Sequence, residues 1–169
     1  MEKRPKIVLT LSTLDKIVEL LGIISIVAIW VLVITSYNSL SDTIPVHYDL
    51  DGKVDIIGGK ENIFALPIVA TILFLGLTIL NRYPHHFNYL NKITEENAHR
   101  QYTHVTKMIR FLKLIVIFIF GLIEWKTIQN AQGTADGLGM WFLPIIIAPI
   151  VIPLIFLIVK SFNPDCLST

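Results

Sequence analysis

Apolar positions along this chain are gathered into blocks instead of being spread evenly, and four blocks stand out at residues 17–35, 63–80, 108–128 and 140–159. A helix needs about 20 mainly apolar residues to cross a bilayer, so each block predicts a span. The third is the least regular, because its uninterrupted apolar run, Leu114 to Ile123, covers only about 15 Å of helix. Arg110 and Lys113 must then snorkel at one end, with Glu124 to Lys126 at the other. At that depth Arg110 and Lys113 come level with Asp15 and Glu19, which share one helical face four residues apart. The spacing predicts an ionic contact between the first and third spans. The fourth block carries Pro144, Pro149 and Pro153, each of which removes a backbone donor, and reads as a bent helix packed within a bundle.

Between blocks two and three, residues 82–107 are polar but patterned. Thr94 is placed to cap a helix whose first turn holds Glu95 and Glu96, favourable at the positive end of the helix dipole. From there Ala98, Tyr102, Val105, Ile109 and Leu112 recur at spacings of four and three, an apolar seam that runs into the third block. One long helix from about Glu95 to Ile128 is predicted, projecting beyond the bilayer.

Between blocks one and two the period changes. Ile44, Val46, Tyr48 and Leu50 alternate with Pro45, His47, Asp49 and Asp51, and after Gly52 the alternation resumes through Lys53, Val54, Asp55 and Ile56. Such alternation is the signature of a strand pair, so the loop 40–62 predicts a β-hairpin. A three-residue turn Leu50–Asp51–Gly52, with Gly52 left-handed, sets Asp49 opposite Lys53 and His47 opposite Asp55. His47, Asp49, Lys53 and Asp55 then share one face, and Val46, Tyr48, Val54 and Ile56 the other. A two-residue turn would instead set His47 opposite Ile56 and mix the faces.

Composition supports the membrane reading: 53% of the 169 residues are hydrophobic and only 16% charged, against roughly a quarter charged in soluble domains. The net charge of +1 makes no case for a nucleic-acid partner. Orientation follows from the basic residues. Lys3, Arg4, Lys6 and Lys16 precede the first block, six more from Arg82 to Lys113 lie between the second and third or in the first turn of the third, and Lys160 follows the fourth. Only Lys53, Lys60 and Lys126 fall in the other two connections. The expectation is an all-α membrane protein, one integral domain of four spans in the bacterial cytoplasmic membrane. Both termini and the connection 82–107 face the cytoplasm, and the hairpin faces out.

Candidate chemistry concentrates in that hairpin. A carboxylate beside an imidazole fixes its tautomer and raises its basicity, which suits a proton switch, a metal ligand or a structural hydrogen bond. His47 and Asp55 are therefore the residues expected to hold a metal if any is held. A calcium loop fits poorly, since its first position would be His47 and its twelfth Gly58 in place of a bidentate glutamate. Glu124, near the outer end of the third span, is a possible further site residue, although Trp125 and Lys126 mark an interface where a glutamate can simply be wet. His85, His86, His99 and His104 lie in the inner connection at spacings that do not suit metal binding and read as solvated. The single cysteine, Cys166, forms no internal disulfide.

Pro45, His47, Gly52, Asp55, Gly58 and Lys60, spaced P-x-H-x4-G-x2-D-x2-G-x-K between two spans, resemble the signature of a bacterial membrane domain of unknown function. That domain forms the N-terminal part of SdpI-type immunity proteins, which protect a producing cell from its own secreted toxic peptide. Thr94, Glu95, Asn97, Arg100, Gln101 and Tyr102 are similar to the cytoplasmic segment of its short stand-alone members. The chain has no counterpart of the immunity proteins' C-terminal portion, so the resemblance implies a shared module more than a shared activity.

Two functions of different class follow. The first is a non-enzymatic membrane protein whose outer His/Asp/Lys loop binds a peptide, an ion or a membrane-protein partner, in toxin resistance or signalling, with no cofactor beyond the surrounding lipid. The alternative is a metal-dependent intramembrane enzyme or ion-coupled carrier using His47, Asp55 and Glu124. The first is favoured because the sequence shows no nucleophile-and-base constellation, and Thr71 and Thr78 are among the few polar residues within the apolar blocks.

Overall fold

A computed structural model describes residues 4–89 and 92–161. Lys3 and Cys166, and the side chains of Pro153 and Lys160, lie outside the described residues. The elements run α1 (Thr13–Ser36), β1 (Thr43–Tyr48), β2 (Val54–Gly59), α2 (Ala65–Leu80), α3 (Glu95–Ala131) and α4 (Phe142–Ser161), with short 3-10 turns at Tyr37–Ser39, Lys60–Phe64 and Pro84–His86. The molecule is thus mostly helical, with one small antiparallel sheet.

Local chemistry explains where the helices begin. Ser12 caps α1 through a reciprocal box: its hydroxyl accepts from Asp15 N at 3.2 Å, and Asp15 Oδ2 accepts from Ser12 N at 2.9 Å. Thr94 and Asn97 build the same device at the start of α3, as the sequence predicts for Thr94. Pro67 sits in the first turn of α2, where the fixed φ of proline suits a helix start. Helix α4 starts at Phe142, two residues later than the fourth block, because Met140 and Trp141 remain in an exposed turn.

Helix α3 is the long axis on which the rest assembles, and three apolar clusters lie along it. At its start, Ile93, Ala98 and Tyr102 pack with Tyr89 and with Ile7 and Leu9 of the extended N-terminal segment. Midway, Ile117 meets Ile29 of α1 and Ala70 and Phe74 of α2. Near its end, Ile128 meets Val33, Leu40, Ile44 and Ile63, joining α1 and β1 to the foot of α2.

The seam on α3 differs from the predicted one. Beyond Tyr102 the buried positions are Thr106, Arg110 and Lys113, whereas Leu112 is exposed and Val105 and Ile109 are only half-buried. The reason is that the inner face of the bundle is polar here and the apolar side chains point outward. Helices α1 and α2 also turn apolar side chains outward: Leu20, Ile24, Val27 and Val31, and Ile68, Ile72, Leu75 and Ile79, are exposed. A soluble domain rarely leaves so much contiguous apolar surface open. Thr13–Ser39 and Lys60–Leu80 are each long and apolar enough to cross a membrane, with only 22% of each apolar window buried, and Phe142–Ile152 is a shorter apolar stretch.

Candidate functional site: the hairpin and the end of helix α3

The hairpin turns as its sequence dictates. Gly52 adopts φ 75, which only glycine takes without strain, and Asp49 N donates to Lys53 O at 2.8 Å across a three-residue turn. Asp49 Oδ1 accepts from the backbone N–H groups of Asp51 (2.9 Å) and Lys53 (2.8 Å), so Asp49 is a device of the turn itself.

The register departs from expectation at one point. Tyr48 pairs with Val54, and Pro45, Ile44 and Thr43 pair with Ile57, Gly58 and Gly59, but irregularities on both sides of His47 place its backbone opposite Ile56, not Asp55. Pro45 lacks an N–H and cannot complete a regular ladder, which is a physical reason for the bulge to fall beside it. The predicted apolar face is broken accordingly. Ile44 is buried and Tyr48 and Val54 half-buried, while Val46 and Ile56 are exposed.

His47 and Asp55 nevertheless meet through their side chains. His47 Nδ1 lies 2.7 and 2.9 Å from the two carboxylate oxygens of Asp55, with the side chains 60% and 40% exposed. A proton on Nδ1 donates to Asp55, which leaves Nε2 as a free acceptor in the neutral ring and a second donor in the charged one. The pair is therefore an oriented imidazole exposed on the hairpin surface.

The other residues of the signature support this presentation. A Cβ on Gly58 would come within 2.8 Å of Val46 Cγ1 and 3.1 Å of Asn62 Nδ2, so the close approach of the strands there requires glycine. Lys60 pairs with Asp42 at 3.5 Å and sits 5.4 Å from the centre of the Tyr37 ring, tying the foot of the hairpin to the end of α1. Gly52 O accepts from Leu138 N at 2.7 Å, fastening the tip to the α3–α4 connection.

Two residues not singled out from the sequence, Thr127 and Asn130, hold Tyr48 and with it the hairpin on α3. Tyr48 OH and Thr127 Oγ1 are 2.9 Å apart, and Asn130 Nδ2 reaches Tyr48 OH at 3.3 Å. The Asn130 side chain also clamps Gly137, accepting from its N–H at 2.7 Å and donating to its carbonyl at 3.2 Å. The available signal was the polar stripe Glu124, Thr127, Asn130 at a spacing of three on an otherwise apolar helix end.

Glu124 is not at a wet interface. Its residue is 1% exposed, and Oε1 is buried with no hydrogen-bond partner. Trp125 and Lys126 are its neighbours in sequence but point elsewhere: Trp125 is exposed, and Lys126 Nζ lies 5.4 Å from the Trp125 ring centre. The structure thus brings His47 and Asp55 together on the hairpin surface and keeps Glu124 inside the helix bundle. Among the described residues no group of three or more His, Cys, Asp or Glu side chains is placed to hold a metal ion.

At the other end of α3, the contact expected between the first and third spans is present. Lys113 Nζ is 2.6 Å from Glu19 Oε2, and Arg110 lies 3.4 Å from both Asp15 Oδ1 and Glu19 Oε1. Helix α2 joins it, with Thr78 Oγ1 accepting from Lys113 Nζ at 2.7 Å. The motif at residues 94–102 divides. Thr94 and Asn97 form the cap, Tyr102 is buried and donates to Pro5 O at 3.1 Å, while Glu95 and Arg100 are exposed and Gln101 half-buried. His85 and His86 stack with ring centres 4.2 Å apart. Burial, then the charges of His86 and Lys6, hold the His85 imidazole below its ordinary range.

Residues 24–71 match a family model described as a domain of unknown function, DUF1648, a region that takes in most of α1, the whole hairpin and the start of α2. An uncharacterized protein of Archaeoglobus fulgidus is 30% identical over 149 residues, covering 79% of this chain and 80% of that protein. No solved structure matches the chain.

Proposed function

The chain belongs to the DUF1648 domain family, and we propose that it is a non-enzymatic, four-span membrane protein whose outer hairpin binds a peptide or a partner protein. In this reading both termini lie in the cytoplasm, the hairpin and the α3–α4 connection lie outside, and the cell's cytoplasmic membrane holds the bundle. The outward-facing apolar side chains of α1 and α2 support the membrane setting. The inside orientation is supported by the basic residues, whose excess falls on the N-terminal segment and the connection 82–107. Those two regions are joined at one end of the molecule, where Arg4 Nη1 donates to His85 O at 3.2 Å and Phe87 O at 2.6 Å.

The observation that carries the proposal is the His47–Asp55 pair. An imidazole oriented by a carboxylate, exposed on a hairpin pinned at its foot and its tip, is a preorganised hydrogen-bonding group for a backbone amide or hydroxyl of a bound chain. A role in resistance to secreted peptides or in signalling accords with the resemblance to the immunity-protein module. The alternative of a metal-dependent enzyme or ion-coupled carrier needs Glu124 to act with His47 and Asp55, and its burial in the bundle argues against joint action.

The test has two arms. Cysteine placed at Lys53 should react with a membrane-impermeant maleimide in intact cells, and cysteine at Arg100 only after lysis; the reverse pattern overturns the topology. In cells lacking the chain, sensitivity to membrane-active peptides should rise and be restored by wild type but not by H47A or D55N. Full restoration by an H47A protein that is stably inserted overturns the binding role of the pair.

A further inference from the structure

Arg110, Lys113 and Glu124 are all buried along α3, and the surroundings of the last two differ. Lys113, 1% exposed, has Glu19 at 2.6 Å, Thr78 at 2.7 Å and the Phe74 ring centre at 4.2 Å. Glu124, equally buried, has an Oε1 with no hydrogen-bond partner among the described residues. It sits between two apolar layers. One turn before it, a Cβ on Gly121 would lie 3.3 Å from Ile29 Cγ1, and one turn after it Ile128 packs on Val33 and Ile63. A carboxylate in such a place costs several kcal/mol unless a positive partner meets it. The lysines at this end are committed or turned away: Lys60 is held by Asp42 and Tyr37, and Lys126, two residues along the helix, lies against Trp125 on another face. The chain therefore buries a carboxyl group and supplies no counter-charge to it among the described residues, so the group must either hold a proton or meet a cation.

We infer that Glu124 is the anionic ligand of a site for a small monocation, entered beneath the hairpin and flanked by the hydroxyls of Thr127 and Tyr48. Thr127 is one helical turn from Glu124, so its hydroxyl lies over the same side of α3. The Thr127 and Tyr48 hydroxyls, 2.9 Å apart, can each turn a lone pair toward a cation. One carboxylate offsets one positive charge, and among the described residues no cluster of three or more acids, histidines or cysteines accompanies it, so a divalent ion would carry an uncompensated charge into the apolar layer. Since Thr127 lies one helical turn from Glu124 and its hydroxyl bonds that of Tyr48, entry beneath the hairpin would couple occupancy to the Tyr48–Thr127 contact. The inference goes beyond hairpin recognition and does not need it, since it stands on Glu124 and not on His47.

Two sources share this chemistry, an alkali metal ion and a protonated primary amine. The experiment is thermal unfolding of the full chain in detergent micelles, followed by tryptophan fluorescence, in chlorides of choline, sodium, potassium or methylammonium at one pH and one ionic strength. Wild type should melt about 2–4 °C higher in the salt whose cation fits than in choline, the shift expected when ligand exceeds its dissociation constant several-fold. A rise in sodium or potassium identifies an alkali site, and a rise in methylammonium alone an amine site. E124Q should melt at the same temperature in all four salts. Equal melting of wild type in all four salts overturns the inference, as does an E124Q response equal to that of wild type. If E124Q does not fold, calorimetric titration of wild type with sodium and with methylammonium decides the matter. One cation bound per chain supports the site, and no binding of either removes it.

Discussion

Tyr48 in the hairpin and Thr127 in α3 share a hydrogen bond of 2.9 Å between hydroxyl oxygens, across 79 residues of chain. It is the direct side-chain link by which a two-stranded sheet, marginal by itself, becomes a fixed part of a helical molecule. The same Tyr48 oxygen takes a second bond from Asn130 at 3.3 Å, and Asn130 in turn holds Gly137.

Tyr48→Phe should therefore loosen the hairpin without unfolding the bundle. Removing one hydroxyl from a satisfied pair costs about 1 kcal/mol, and Asn130 keeps both bonds to Gly137. Hydrogen exchange should accelerate across residues 43–59 and stay unchanged around Ala98 and Tyr102. Equal acceleration along the whole of α3 would mean that the hydroxyl supports the bundle instead of docking the hairpin.

At the opposite end of α3 the N-terminal segment should detach in alkali. Tyr89 donates to Pro84 O at 2.8 Å, packs beside Tyr102 with ring centres 5.5 Å apart, and forms part of the surface that Ile7 and Leu9 cover. Burial pushes the Tyr89 phenol up to about 12, with Tyr102 adding to the rise and Arg4 opposing it. An unfolded tyrosine ionises near pH 10, so the fold favours the neutral phenol. Its contribution is fully present below about pH 10 and is lost as pH rises through about 12. Over that window wild type should lose melting temperature faster than Tyr89→Phe, and the variant should lack one late-titrating phenolate in the ultraviolet. Parallel decline of the two proteins would disconnect Tyr89 from alkaline stability.

What could be read from the sequence was whatever is decided within a few residues. Gly52 and the alternation around it specified the turn, Thr94 specified the start of α3, and the spacing of Asp15 and Glu19 specified the face that meets Arg110 and Lys113. Three features escaped because their causes lie elsewhere. The bulge beside Pro45 moves His47 opposite Ile56 through the behaviour of the whole ladder. The seam on α3 holds at Ala98 and Tyr102 and departs beyond them, where Thr106, Arg110 and Lys113 take the buried positions because the outward face is apolar too. Glu124 was judged by Trp125 and Lys126, yet on a helix the neighbours that share a face are three or four residues away. By that measure its company is Gly121, Thr127 and Ile128, and burial follows.

The network around Lys113 yields the sharpest energetic prediction, because its partners are unequal. Glu19→Leu leaves the Lys113 ammonium, 1% exposed, with only Thr78 and the face of Phe74, and leaves Arg110 with Asp15 alone. Removing one member of a buried ion pair in this way costs about 3–5 kcal/mol. Lys113→Met should be milder, since Glu19 is partly exposed and keeps Arg110 at 3.4 Å. The double variant places two apolar side chains where α1 and α3 meet and should recover most of the loss, because apolar replacement of a whole buried pair is often neutral or stabilising. Chemical denaturation of all four proteins closes a double-mutant cycle. Strong favourable coupling is the expected result. Additive losses would mean that Lys113 is held by Thr78 and Phe74 of α2 and that the 2.6 Å contact with Glu19 contributes little.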